Sequence, residues 1–181
     1  MAISTKKIKK NITLVTGGVK SGKSVFALQL GYELCAQRAF IATATALDDE
    51  MARKIAVHKA ERGEFWQTIE EPRDIAAVLE RIAPEFDVVL IDCLTLWVSN
   101  MLTLYDFSED MIAGEVDSLL SVLQKARRHI IIVTNEVGLG ILPADRLSRS
   151  YQNLLGAANK RIAEAATSVF MMIAGMPVKI K

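Results

Sequence analysis

The sequence predicts an α/β fold in which a mainly parallel sheet is covered by helices on both faces. Three observations carry this. Short β-branched apolar runs alternate with segments of helical periodicity along the chain. Two of the runs, Val88–Ile91 and Ile130–Val133, are apolar at every position, as strands buried on both faces are. The first run, Ile12–Thr16, leads through Gly17-Gly18-Val19-Lys20-Ser21-Gly22-Lys23-Ser24 into the helical segment Val25–Leu34. That octet fits G-x-x-x-x-G-K-[ST], in the strand–loop–helix setting that a phosphate-binding P-loop requires.

The chemistry of the octet follows from its residue types. Glycines let successive backbone N–H groups turn inward around phosphate oxygens. The N-terminus of the following helix adds positive potential at the same point. Lys23 has the reach to bind the β- and γ-phosphates, and the Ser24 hydroxyl is a ligand for Mg²⁺.

Further along, Ala39–Ala44 predicts a second short strand whose end carries hydroxyls. Thr45 and Asp48 have the spacing of a capping box, with Asp48, Asp49 and Glu50 in a first helical turn. The helix runs to Arg62, and Gly63 is its stop. A short aromatic strand over Phe65–Glu70 is broken by Glu71-Pro72. Asp74–Ile82 has helical spacing, and Pro84 ends it. Asp87–Asp92 is a strand ending in an acid. Leu94–Leu104 is a helix, a loop is expected near Asp106, and Ser108–Arg128 is a long amphipathic helix. Ile130–Asn135 is a strand, Glu136–Pro143 a glycine-containing loop, Leu147–Ala166 a helix and Ser168–Ile173 a strand. Gly175-Met176-Pro177 is expected to turn the chain into a short last strand, Val178–Ile180, pairing antiparallel at an edge.

Composition narrows the function classes. With 181 residues, 51% of them hydrophobic, the chain suits one globular domain spanning 1–181. A net charge of +1 gives no global basic field, so no nucleic-acid partner is expected. The lysine-rich lead-in Met1–Lys10 lacks the apolar region of a secretory signal and is expected to fray before the first strand. No run is apolar and long enough to predict a membrane span. The two cysteines, Cys35 and Cys93, have no C-x-x-C spacing and no metal-ligand neighbours, which suggests a reduced, cytoplasmic setting.

Asp92 is the expected second half of the nucleotide site, a strand-end carboxylate that would bind Mg²⁺ beside the P-loop. Spacing alone leaves two readings of His58. Lys54, Lys59 and Arg62 surround it in sequence, and cationic neighbours favour the neutral imidazole that attacks phosphorus. It also falls on the Met51–Ile55 stripe, where a half-buried structural histidine is the plainer reading. His129, at a strand mouth, reads as surface structure. Thr134–Gly138 follows a strand in the manner of Asp92, and such loops bind ligands in open α/β sheets. Arg146, Arg149, Asn159 and Lys160 follow, either to grip a phosphate or as a solvated helix face.

Taken together, Thr16–Ser24, Ile41–Thr43, Asp48–Met51, Ile55–Lys59, Val133–Ile141 and Gly175–Lys181 resemble the bifunctional adenosylcobinamide kinase/adenosylcobinamide-phosphate guanylyltransferase family. The resemblance covers nearly the whole chain beyond the lead-in. It implies a P-loop, RecA-like parallel sheet with a short antiparallel edge, assembled as a homotrimer. It implies phosphorylation of the corrinoid adenosylcobinamide with ATP or GTP. GMP transfer from GTP to the resulting phosphate, with pyrophosphate released, would then pass through a covalent GMP–histidine on His58. It also implies nucleotide contacts at Ala42, Thr43, Ala44, Lys59, Ala60, Glu61, Arg62 and Glu70. Two departures are mild: Arg53 is displaced from its usual place by Lys54, and Asp92 stands where some relatives carry Glu. A single-activity P-loop kinase would have no use for a nucleophilic His58. A GTPase-type switch would need an Asn-Lys-x-Asp motif that Thr134-Asn135-Glu136-Val137 does not supply.

Overall fold

A computed structural model describes residues 11–34, 37–46, 48–82, 84–105 and 108–181. The expectations for Met1–Lys10, Cys35 and Asp106 lie outside these residues. Strands β1 (Asn11–Gly17), β2 (Arg38–Ala42), β3 (Gln67–Glu70), β4 (Val88–Asp92), β5 (His129–Val133), β6 (Ser168–Ile173) and β7 (Met176–Lys179) form one sheet. The helices are α1 (Lys23–Leu34), α2 (Asp49–Arg62), α3 (Ile75–Arg81), α4 (Leu94–Leu104), α5 (Glu109–Lys125) and α6 (Arg146–Ala165).

The seven strands lie in the order β3-β2-β4-β5-β1-β6-β7, all pairs parallel except β6–β7. Strand alternation sends Ile12, Leu14, Ile41, Val89, Ile91, Ile130 and Ile132 to one face, under α3, α4, α5 and α6. Val15, Phe40, Val88, Leu90, Ile131 and Val133 go to the other, under α1 and Trp66. Gly31 allows this second face to close, because a Cβ there would sit 2.4 Å from the Trp66 ring.

Register decides which residues share the ligand end. Glu70 pairs with Ala42, Ala42 with Asp92, Asp92 with Val133 and Val133 with Val15, so all five lie in one row across the sheet. Because β5 lies between β1 and β4, the loop after it opens between the P-loop and Asp92.

Four local expectations are corrected. Asp48, not Thr45, caps α2: its backbone is extended and its carboxylate accepts from Met51 N–H at 2.7 Å, so the first turn holds Asp49 and Glu50. The aromatic strand shortens to Gln67–Glu70, because Trp66 turns in to pack against Tyr32 and Phe40. The last turn is Ala174-Gly175, with φ of 50° and 83°, the backbone a two-residue hairpin demands. Met176 and Pro177 therefore belong to β7, where Pro177 sits on an edge strand and lacks only a donor that the edge does not need. Finally, His58 is not a half-buried histidine: Met51 and Ile55 of the same stripe are half-buried, but His58 is exposed.

Candidate active site

The P-loop bridges β1 and α1 with a backbone only glycine tolerates at two points. At Gly17, φ is 146°, and a Cβ would lie 2.6 Å from the Met172 carbonyl oxygen. At Gly22, φ is 92°, and the loop passes close to Gly175 of the hairpin. Gly175 N–H donates to Ser21 O at 3.1 Å, so the β6–β7 hairpin braces the loop. Gly18, Val19 and Lys20 are exposed at the loop's crest. The buried Ser21 hydroxyl has no partner among the described residues.

Lys23 begins α1 and is buried, its Nζ donating to Gly18 O at 2.6 Å across the loop. Burial lowers its pKa from the usual lysine value, with Cys93 and Asp92 pulling the other way. Ser24 Oγ donates to Asp92 Oδ2 at 2.9 Å. Burial raises the pKa of Asp92, opposed by the Ser24 hydrogen bond and by the charges of His58, Arg62 and Lys23. Lys23, Ser24, Asp92 and His58 thus belong to one electrostatic site. Burial also pushes the neighbouring Cys93 thiol up to about 12, which removes it as a nucleophile.

His58 stands on the bare face of α2 with its side chain 53% exposed. The expected cationic surround is corrected. Lys54 pairs with Glu50 at 2.6 Å, and Lys59 pairs with Glu70. The group that touches the imidazole is Glu61, whose Oε2 lies 3.1 Å from Nδ1. A carboxylate can only accept, so Nδ1 is the donor in this contact, and in the neutral ring the lone pair then falls on Nε2. Arg62 is buried beneath the helix. Its guanidinium sits 3.9 Å over the Phe40 ring, and its Nε donates to His58 O at 2.9 Å. Tyr32 donates to Arg62 O, fastening the C-terminal end of α2 to α1. Lys59 holds the pKa of Glu70 below the usual carboxylate value.

Thr43 lies at the site but is engaged by the scaffold: its hydroxyl donates to Cys93 O and accepts from Cys93 N–H, both at 2.8 Å. Ala42 is buried, Ala44 half-buried and Ala60 exposed. Asn159 is neither a phosphate grip nor a solvated side chain. It is buried, bonding Thr134 Oγ1 at 2.7 Å and Asn135 O at 3.0 Å. Arg149 turns back to the carbonyls of Pro143 and Ala144. Arg146 and Lys160 are exposed. Three residues escaped the sequence reading. Asn100 joins the turns after β2 and β3 through Thr43 O and Pro72 O, Thr95 accepts from Asn135 N–H, and Gln152 donates to Val137 O.

Residues 13–180 match the cobinamide kinase / cobinamide phosphate guanyltransferase family. The chain belongs to that family. Bifunctional adenosylcobalamin biosynthesis protein CobP of Pseudomonas aeruginosa is 42% identical over 168 residues, covering 93% of this chain and 96% of that protein. CobU of Escherichia coli, of the same descriptive name, is 37% identical over 179 residues, covering 93% and 98%. Among solved structures, flagellar accessory protein FlaH of Methanocaldococcus jannaschii superposes with a TM-score of 0.56 at 16% identity, over 96% of this chain and 79% of that one. The RadB recombinase superposes with a TM-score of 0.50 at 15% identity, over 91% and 74%. Those likenesses bear on the fold alone. Family membership gives this P-loop chain two activities, cobinamide phosphorylation and guanylyl transfer to cobinamide phosphate. Among the described residues no helix is long and apolar enough to cross a membrane.

Proposed function

We propose that one nucleotide site at the C-terminal end of the sheet serves both reactions. In this reading Gly17–Ser24 hold the phosphates, Lys23 steadies transferring charge, and His58 is the nucleophile of guanylyl transfer. The observation that carries it is the meeting of Ser24 with Asp92 at 2.9 Å, beside buried Lys23 and within the electrostatic reach of His58.

In the kinase step the acceptor hydroxyl attacks the γ-phosphorus of ATP or GTP. The bond to the β,γ-bridging oxygen breaks, the nucleoside diphosphate leaves and the hydroxyl proton is released. Lys23 would follow the developing charge once a phosphate displaces Gly18 O from its ammonium group. In the transfer step Nε2 of His58 attacks the α-phosphorus of GTP and pyrophosphate leaves. An oxygen of cobinamide phosphate then attacks the same phosphorus, breaking the P–N bond to give the GDP-linked product. Glu61 fixes the tautomer and steadies the positive ring by accepting from Nδ1. Lys59, Arg62 and Glu70 shape the nucleotide's surroundings, Arg62 from beneath the helix.

Ser24 and Asp92 would hold Mg²⁺. A hydroxyl and one carboxylate suit an ion that takes its remaining ligands from phosphates and water. Among the described residues no group of three or more acidic, histidine or cysteine side chains is placed to hold a metal ion. When bound, the ion would neutralise charge on the phosphates. We also propose a cytoplasmic homotrimer. In support, most of α2 and the apolar β7 edge, with Met176 and Val178, are exposed in the single chain, as is Ile173 at the end of β6.

The deciding experiment is incubation with adenosylcobinamide, ATP and GTP, with products identified by mass. The expected products are the corrinoid phosphate and, with GTP, the GDP-linked corrinoid. Nucleotide binding without either product would refute the reading.

A further inference from the structure

The loop after β5 carries an unusual surface. Leu139 is 74% exposed, Ile141 96% and Leu142 68%. Large apolar side chains gathered in one loop, rather than scattered singly, mark a binding surface. The loop is held at both ends. Glu136 N–H donates to Gly17 O of the P-loop, Gln152 grips Val137 O, and Arg149 grips Pro143 O and Ala144 O. Asp145 then caps α6 through Ser148 N–H. The apolar side chains are therefore presented by a braced segment that begins at the phosphate-binding loop.

Beside them a depression of about 340 Å³, open to solvent, lies between the loop and α6, lined by Gly138, Gly140, Leu142, Gln152, Asn153 and Gly156. A Cβ at Gly140 or Gly156 would meet nothing within 4 Å. Among the described residues the Asn153 carboxamide has no partner. The wall thus combines an apolar side chain, amides and open space.

We propose that this loop and depression are the acceptor subsite, which receives the corrin ring of cobinamide while the P-loop holds the nucleotide. The inference rests on the family's activity. Its chemistry follows from the acceptor: a corrin has an apolar ring edge and carries amide-tipped arms. The exposed Leu139, Ile141 and Leu142 fit the ring edge, and Gln152 and Asn153 fit an amide arm entering the depression. The whole macrocycle is larger than the depression, so it lies along the loop. The hydrogen bond from Glu136 N–H to Gly17 O ties the start of this loop to the P-loop, the side from which an acceptor hydroxyl has to approach the phosphates.

Two variants test it. Gly156→Leu fills the depression from a helical position with free space and replaces a poor helix former by a good one. Ile141→Ser strips the most exposed apolar side chain. Equilibrium dialysis reads the coloured cobinamide directly, kinetics give its KM and kcat, and a fluorescent GTP analogue reports nucleotide affinity and folding. The expected result is cobinamide affinity weakened about tenfold in each variant, through KM rather than kcat, with nucleotide affinity unchanged. Unchanged cobinamide affinity in both folded variants, against an active wild type, would overturn the subsite alone. So would a drop in sedimenting mass that accounts for the loss, since the loop would then be a subunit contact. A wild type that binds nucleotide but neither binds nor phosphorylates cobinamide would overturn the underlying reading as well.

Discussion

Ser24 Oγ and Asp92 Oδ2 lie 2.9 Å apart although 68 positions separate them in the chain. The contact joins the first turn of α1 to the end of β4 and closes the phosphate site on a half-buried carboxylate. Burial raises the pKa of Asp92, so the folded chain holds that proton more tightly than the unfolded chain does. Its ionisation therefore costs stability as pH rises through the folded value and costs nothing below the unfolded value. Asp92→Asn keeps the shape and the acceptor for Ser24. It should raise the thermal midpoint of the nucleotide-free protein at neutral pH, by about 2–4 °C per kcal/mol relieved. The gain should fade as the solution is acidified towards the ordinary carboxylate range. The same variant should lose activity and require more Mg²⁺. A midpoint difference independent of pH, or an unaltered Mg²⁺ titration, would remove the buried charge from the account.

Lys23→Ala tests the other wall of the site. The ammonium group spans the loop to Gly18 O and is buried, so it is positioned before any phosphate arrives. Removing a preorganised charge of this kind typically costs on the order of 10²–10³ in rate. The kinase rate should fall by that amount, while circular dichroism stays that of the wild type. Turnover within a factor of about three in the folded variant would exclude the lysine from the transfer step.

How much of this was legible in the sequence divides along a physical line. The alternation of elements and the antiparallel last strand follow from local signals: apolar runs, breaking prolines and the glycines of the P-loop. So does the placing of Asp92 at a strand end. Asn100, Thr95 and Gln152 belong to no motif, and each acts through a contact across 15 or more positions. Periodicity at Met51 and Ile55 marked a helical face but could not say whether anything covers it. The pairing of Lys54 with Glu50 and of Lys59 with Glu70 was equally hidden. Opposite charges choose among several neighbours, and the choice is made by the folded geometry.

The bare face of α2 and the apolar edge of β7 lead to a prediction about assembly. An edge strand with Met176 and Val178 exposed is a template for further association unless something covers it. Sedimentation equilibrium at micromolar concentration should give three times the 19.9 kDa chain mass. A monomer mass across that range would count against the trimer.

The last prediction separates the two activities on one side chain. In the proposed transfer, Glu61 accepts from Nδ1 of His58, so in the neutral ring Nε2 would be the nitrogen that attacks phosphorus. The imidazole is more than half exposed, so no packed side chain covers it. The kinase step needs no histidine, because the P-loop can present the γ-phosphate to the acceptor hydroxyl directly. His58→Asn should therefore abolish protein labelling by α-³²P-GTP and formation of the GDP-linked corrinoid, while phosphorylation with ATP persists. The wild-type label should be acid-labile and alkali-stable, as a phosphoramidate is. Glu61→Gln should keep the label but slow its formation about 10–100-fold, since an amide supports the positive ring less well than a carboxylate. Label retained on His58→Asn would move the nucleophile elsewhere. Loss of both activities in a folded His58→Asn protein would mean that the histidine shapes a nucleotide pocket shared by the two reactions. Glu61→Gln labelling at the wild-type rate would show that the contact at Nδ1 does not set the reactivity of Nε2.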